Sequence, residues 1–206
     1  MSGGVDSSVT AHLLKEQGFD IFGVLMDLWR PSGQNNQFSK FQTAKIDAQK
    51  VADEIGIPLE ILDFKDVFKE KVVENFISTY QSGQTPNPCV ICNKKIKFGL
   101  LLDYALAKGA DYLATGHYTI INKTENIFSL HKGNDPLKDQ SYFLSQLNQT
   151  QLSKIFFPLG TYSKDQIRKI AKSIGLHVAE KAESQDICFI DDNNYRGFLK
   201  QYSKHV

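Results

Sequence analysis

Seven consecutive residues, Ser2-Gly-Gly-Val-Asp-Ser-Ser8, and three cysteines, at 89, 92 and 188, are the groups of this chain whose types and spacing could do chemistry. Gly3 and Gly4 let the backbone turn tightly and bring its N–H groups close to a bound anion, where a side chain would interfere. Ser7 and Ser8 open an amphipathic run, Val9, Ala11, Leu13 and Leu14, that ends at Gly18. The loop therefore feeds a helix N-terminus, where free N–H groups and the helix dipole favour phosphate. Asp6 opposes that field. A carboxylate in a phosphate nest is costly unless a magnesium ion lies between it and a nucleotide. The plain alternative is a loop that merely leads into a helix. The chain has no Gly-Lys-Ser/Thr, which excludes a Walker-type kinase or GTPase loop.

The cysteines form a second constellation. Cys89 and Cys92 lie in Thr85-Pro-Asn-Pro-Cys-Val-Ile-Cys-Asn-Lys94, with Lys95 and Lys97 close behind. Prolines 86 and 88 restrict the backbone to extended geometry, which predicts a loop over residues 83–92 that presents both thiols. A Cys-x-x-Cys beside a helix start, followed by three lysines, favours thiolate over thiol. A structural metal knuckle and two incidental loop thiols are the alternatives. Cys188, in the apolar run Ile187-Cys-Phe-Ile190, reads by itself as a buried, inert thiol.

These groups must be positioned by alternating elements. Short apolar runs predict strands over residues 20–26, 58–64 and 111–115, the last ending in Gly116-His117. Helical periodicity covers residues 7–17, 41–55, 67–80 and 96–107. Such alternation indicates an α/β fold with a parallel sheet. Ligands of these sheets bind outside the carboxyl ends of the strands, where the residue 2–8 loop, Met26 and Gly116-His117 all fall. Beyond His117 the pattern changes to a hairpin (residues 118–121 and 127–131) and short helices starting at Asp139, Thr150 and Ser163, the last ending at Gly175.

Composition bounds the function. A chain of 206 residues, 41% hydrophobic and 23% charged, can bury one good core. The net charge of +1 creates no global field for a nucleic acid. Two local basic clusters, Lys94/Lys95/Lys97 and Lys164/Arg168/Lys169/Lys172, read as solvated helix faces. Three cysteines, an odd number, argue against a disulfide framework and fit a reducing, cytoplasmic setting. No apolar run approaches the roughly 18 residues that span a bilayer, and no signal peptide is present. Neither a membrane nor a DNA partner is expected.

The residue 2–8 run resembles the PP-loop of the ATP pyrophosphatases, which split ATP into AMP and pyrophosphate to adenylate a substrate. Further motifs follow in one order: Thr-Pro-Asn-Pro-x-x-x-Cys-Asn-Lys, Ala-Thr-Gly-His-Tyr, Lys-Asp-Gln-Ser-Tyr-Phe-Leu and Ile-Cys-Phe-Ile. The series is similar to the tRNA-specific 2-thiouridylases, from Ser2 to about Arg196. The resemblance implies an adenine-nucleotide alpha-hydrolase-like (HUP-type) α/β domain with a small helical extension, over residues 1–190. Residues 191–206 would then begin a central domain. It also implies that a strand normally precedes the loop, and the sequence reads as lacking that strand and the C-terminal domains.

The function implied is replacement of the wobble-uridine C2 oxygen of tRNA by sulfur, after ATP-dependent adenylation. The resemblance assigns Cys188 as persulfide carrier and Cys92 as the second catalytic cysteine. Met1, Ser2, Gly3, Gly4, Val5, Asp6, Ser7, Met26 and Gly116 would contact ATP, with magnesium at Asp6. Asn87, Pro88, Cys89, His117, Lys138, Asp139 and Gln140 would contact tRNA, and a sulfur-donor protein or sulfide would supply sulfur. Cys89, Cys92 and Cys188 could instead ligate an iron–sulfur cluster, since thiolates are its usual ligands. Two other functions stay open: an amide-forming PP-loop synthetase, and a nucleotide- or RNA-binding fragment without turnover.

Overall fold

Gly3, at φ +68°, turns the chain, and Gly4, extended at φ −112° and ψ 164°, opens helix α1 (Val5–Glu16) with no side chain capping it. The computed structural model describes residues 1–30, 40–182, 187–190 and 194–202. Strand β1 (Gly23–Asp27), helix α2 (Lys40–Ile55) and strand β2 (Leu59–Asp63) follow. β1 and β2 pair in parallel, from Gly23 opposite Leu59 to Asp27 opposite Asp63. Helix α3 (residues 65–81) is α-helical except at Lys69–Val73, which winds as a π-helix. Helix α4 (residues 88–107) has the same character, with a π-helical middle at Asn93–Leu101.

Strand β3 (Leu113–Ala114) leads into the hairpin of β4 (Thr119–Thr124) and β5 (Ile127–Lys132). A 3₁₀ turn (Ser141–Leu144), α5 (Gln149–Leu152) and β6 (Ile155–Phe156) come next, with β6 parallel to β3. Helices α6 (Lys164–Ser173) and α7 (Tyr195–Tyr202) complete the described chain.

The alternation of helix with parallel strands and the hairpin agree with the sequence reading. Several details differ. Among the described residues the parallel strands form two separate pairs, β1–β2 and β3–β6, rather than one continuous sheet. The helix expected from Asp139 is a 3₁₀ turn, because the Asp139 carboxylate accepts the N–H groups of Gly133 (3.0 Å) and Ser141 (3.3 Å) and so folds the backbone around itself. The helix expected from Thr150 has four residues; a strand that the sequence pattern did not reveal follows it.

The largest difference is at the Cys-x-x-Cys. Pro88 occupies the first helical position, where its missing N–H costs nothing, and Asn87 Oδ1 accepts the N–H of Val90 at 3.3 Å. The second proline starts a helix instead of prolonging a loop. Cys89 and Cys92 therefore ride on the first turn of α4.

Two packing clusters position the site. One joins α1 to α6 through Val5, Val9, Ile167 and Ala171, with Tyr118 and Leu159 between. The other joins α3 and α4 to residues 189–190 and α7, through Phe68, Phe76, Ile96, Phe189 and Phe198.

Candidate active site

The loop is closed by its own serines. Ser2 N–H donates to Ser7 Oγ (3.0 Å), and the hydroxyls of Ser7 and Ser8 donate to the carbonyl of Gly4 (3.2 and 2.8 Å). A Cβ on Gly3 would stand 2.5 Å from the carbonyl oxygen of Ala44, so α2 buttresses the loop from behind. Lys181 Nζ donates to Gly3 O at 2.7 Å and also pairs with Asp47 on α2. On the opposite flank, a Cβ on Gly116 would lie 2.9 Å from the carbonyl carbon of Asp6. The strand-end glycine is thus pressed against the first turn of α1. Met1 packs along β1, its amino group donating to Val24 O and its side chain lying against Gly23. Met26 is half-buried near the end of β1.

Asp6 Oδ1 accepts two hydrogen bonds, from the hydroxyl of Tyr118 (2.8 Å) and from Lys164 Nζ (2.7 Å). Lys164 is 7% exposed. The sequence reading placed it on a solvated helix face, and this is corrected: it is buried and aimed at the loop. A local signal was present. Lys164 stands in the first turn of α6, within the capping box formed by Ser163 and Gln166, where the dipole favours an acid. A single carboxylate beside an uncapped helix N-terminus suits magnesium, which is held by one or two carboxylates together with substrate phosphates.

The cysteines converge. Cys92, buried on α4, packs in one cluster with Phe189 and Ile190, so Cys188 is delivered to the same place from far along the chain. All three thiols are free. Burial pushes Cys89 and Cys92 up from the usual thiol range, against the opposing pull of Lys97. Cys188 is exposed in area, yet the surrounding protein and then the charge of Cys92 push it up to about 12. This corrects the expectation of thiolates: burial outweighs the lysines. Lys97, half-buried, also acts on the Met1 amine and on His117, and so marks the junction of the two halves of the site.

The residues matched to tRNA contacts are mixed in character. Cys89 is exposed and Asn87 half-buried, whereas Pro88 is buried. His117 is buried between Phe98 and Phe157, both at 5.7 Å between ring centres, with Thr115 Oγ1 2.7 Å from Nδ1. Burial and then Lys97 hold it well below the usual histidine range, so it is neutral at pH 7. Asp139 and Gln140 are engaged internally: Gln140 Oε1 accepts the N–H of Tyr118 at 3.0 Å. Lys138 is half-buried beside them. Among the described residues no group of three His, Cys, Asp or Glu is arranged to hold a metal ion.

A family model described as tRNA methyl transferase HUP domain matches residues 1–192. The chain belongs to this family. The tRNA-specific 2-thiouridylase MnmA 2 of Clostridium tetani is 48% identical over 206 residues, covering 97% of this chain and 57% of that protein. The tRNA-specific 2-thiouridylase MnmA 1 of Thermoanaerobacter pseudethanolicus is 49% identical over 210 residues, covering 99% and 58%. The chain thus spans somewhat over half the length of these curated relatives. A similar fold is seen in a crystal structure of a predicted subunit of tRNA methyltransferase from Methanocaldococcus jannaschii. Its TM-score is 0.50 at 18% identity, covering 83% of this chain and 72% of that one. No helix among the described residues is long and apolar enough to cross a membrane.

Proposed function

We propose that this chain is the catalytic part of a tRNA-uridine 2-sulfurtransferase. The single observation that carries the reading is the convergence of Cys188 onto the helix bearing Cys89 and Cys92, next to an anion-binding loop of the PP-loop type. The names of the family and of the relatives have tRNA in common.

A carbonyl oxygen is a poor leaving group and must be activated. The C2 oxygen of the uridine attacks the α-phosphorus of ATP, pyrophosphate leaves, and the oxygen becomes part of an adenylate. The backbone of residues 2–7 holds the phosphates; magnesium, when bound at Asp6, supplies charge neutralisation there. Met26 and Gly116 border the adenosine side. The outer sulfur of a persulfide on Cys188 then attacks C2, the C–O bond breaks, and AMP departs. Cys92, once deprotonated, attacks Cys188 Sγ; the S–S bond breaks and the sulfur stays on C2. The product pair is thiolated uridine and a Cys92–Cys188 disulfide, which an external dithiol reductant reopens. Extrusion of the target base exposes its C2 oxygen, and contact with that base or its tRNA is the role this reading gives to Asn87, Cys89, His117 and Lys138.

The test is mass spectrometry of tRNA nucleosides after incubation of the chain with tRNA, ATP, magnesium, a persulfide sulfur donor that passes its outer sulfur to Cys188, and a dithiol reductant. The expected product is 2-thiouridine, with AMP and pyrophosphate released. Pyrophosphate release driven by a small acid and ammonia, and not by tRNA, would support an amide-forming synthetase instead.

A further inference from the structure

An acid inside a phosphate-binding loop needs a counter-charge, and here a lysine from the far end of the domain supplies it. Lys164 Nζ reaches Asp6 Oδ1 at 2.7 Å, while its side chain is 9% exposed and that of Asp6 32%. The element carrying this lysine is firmly held. The N–H of Lys164 donates to Asp135 Oδ2 at 2.9 Å. Ser163 and Gln166 form a capping box. Ile167 and Ala171 are fully buried against Val5 and Val9 of α1. The base of the side chain is therefore fixed relative to the loop, and only the ammonium end can swing.

Its position matters more than its pairing. Asp6 lies in the first turn of α1, the helix whose N-terminal amides attract anions. An ammonium bonded to that residue is within a side chain's swing of any phosphate seated on the loop. Lys181, the other lysine that touches the loop, is committed to Gly3 O and Asp47 behind it. Lys97 stands beside the cysteines. A lysine buried in a helix first turn against the dipole is a costly placement, and a merely structural lysine at the start of α6 would not require it.

We propose that Lys164 is the cation that holds the pyrophosphate portion of the nucleotide. With the loop empty its ammonium neutralises Asp6; with nucleotide present it turns to the phosphates, and Asp6 is released to serve the metal. This rests on reading residues 2–8 as the phosphate loop of an ATP site. Lys164 is then a ligand-binding residue contributed by α6, and the loop is incomplete without that helix.

The test is calorimetric binding of two probes, inorganic pyrophosphate and AMP, in the presence of magnesium. Lys164→Met should weaken pyrophosphate binding by about tenfold or more while changing AMP binding by less than about threefold. Lys164→Arg, which keeps the charge, should restore most of the pyrophosphate affinity. Should Lys164→Met fold poorly because Asp6 is left unpaired, the double variant Asp6→Asn/Lys164→Met is compared with Asp6→Asn alone, and it should bind pyrophosphate about tenfold more weakly than that single variant while binding AMP equally. Unchanged pyrophosphate affinity overturns the proposal. So does an equal loss for both probes, which would mean that Lys164 only shapes the loop. If the wild-type chain binds neither probe, the phosphate-loop reading itself falls and takes this inference with it.

Discussion

Lys181 Nζ donates to the carbonyl oxygen of Gly3 across 2.7 Å, tying the backbone of the loop to a residue that follows α6. The same ammonium pairs with Asp47 on α2, so one side chain clamps three parts of the chain. Burial raises the Asp47 carboxyl, but Lys181 and then His177 more than offset it, leaving Asp47 below the usual carboxylate range. A folded-state pKa below the unfolded one gives stability that is present above the unfolded value and lost as pH falls through the folded one. Denaturant titrations should therefore show this contribution disappearing below about pH 4. Lys181→Met should cost about 1 kcal/mol or less at neutral pH, since the pair is partly exposed, and should flatten the acid limb. An acid limb as steep as that of the wild type would show that the clamp is not the cause.

Gly3 and Gly18 both adopt positive φ, +68° and +84°, but differ in their surroundings. A Cβ on Gly3 would stand 2.5 Å from the backbone oxygen of Ala44, whereas nothing lies within 4 Å of one on Gly18. Gly18→Ala should cost about 1 kcal/mol, the strain of the left-handed conformation alone. Gly3→Ala should cost about 3 kcal/mol or more, because the loop must also move off α2. Thermal unfolding of the two variants checks this, and equal melting temperatures would remove the clash argument.

The thiols should react slowly at neutral pH. Cys188 is pushed up to about 12, and Cys89 and Cys92 are raised as well. Alkylation by iodoacetamide, followed by peptide mass spectrometry, should accelerate steadily through pH 9 and above, with exposed Cys89 modified before buried Cys92. Lys97 opposes burial at every thiol, so Lys97→Met should shift each profile to still higher pH. Rapid modification of Cys92 at pH 7 would mean that a stronger thiolate-stabilising effect exists than Lys97 provides.

Catalysis should divide along the two halves of the site. Asp6→Asn should reduce tRNA-dependent pyrophosphate release by about a hundredfold or more. Cys188→Ser should leave that release nearly intact and abolish 2-thiouridine. Normal thiolation by Cys188→Ser would end the persulfide assignment.

The sequence exposed what depends on neighbours along the chain and concealed what depends on neighbours in space. Residues 2–8 were legible because glycines, serines and a following amphipathic run act locally. The parallel strands β1 and β2 were legible as apolar runs between helical periods. Pro88 was misread because a proline at a helix start and a proline in a loop look alike until the cap at Asn87 is seen. Strand β3 was legible as the run at residues 111–115, whereas the two-residue β6 is too short to leave a pattern and exists through its pairing with β3. Lys164 looked like one more charge on a basic helix; its burial follows from α6 packing on α1. The raised thiols were missed for the same reason: three lysines in sequence suggested activation, while the aromatic cluster around Cys92 set the balance.

The wide winding of α4 at Asn93–Leu101 makes this helix act as a gear. Cys92 lies just before the wide segment, and Phe98, which packs on His117, lies within it. Deleting one residue between them would let the segment relax to ordinary α-helix with no loss of apolar content and almost no change in length. It would leave the two ends nearly in phase, because the wide segment turns less per residue than an α-helix does. Rewinding the segment as α-helix with all its residues kept would instead turn Cys92 away from its present direction relative to Phe98, the residue that meets His117. The phase of one helix, more than the identity of its residues, thus sets how the cysteines stand relative to the residue 2–8 loop.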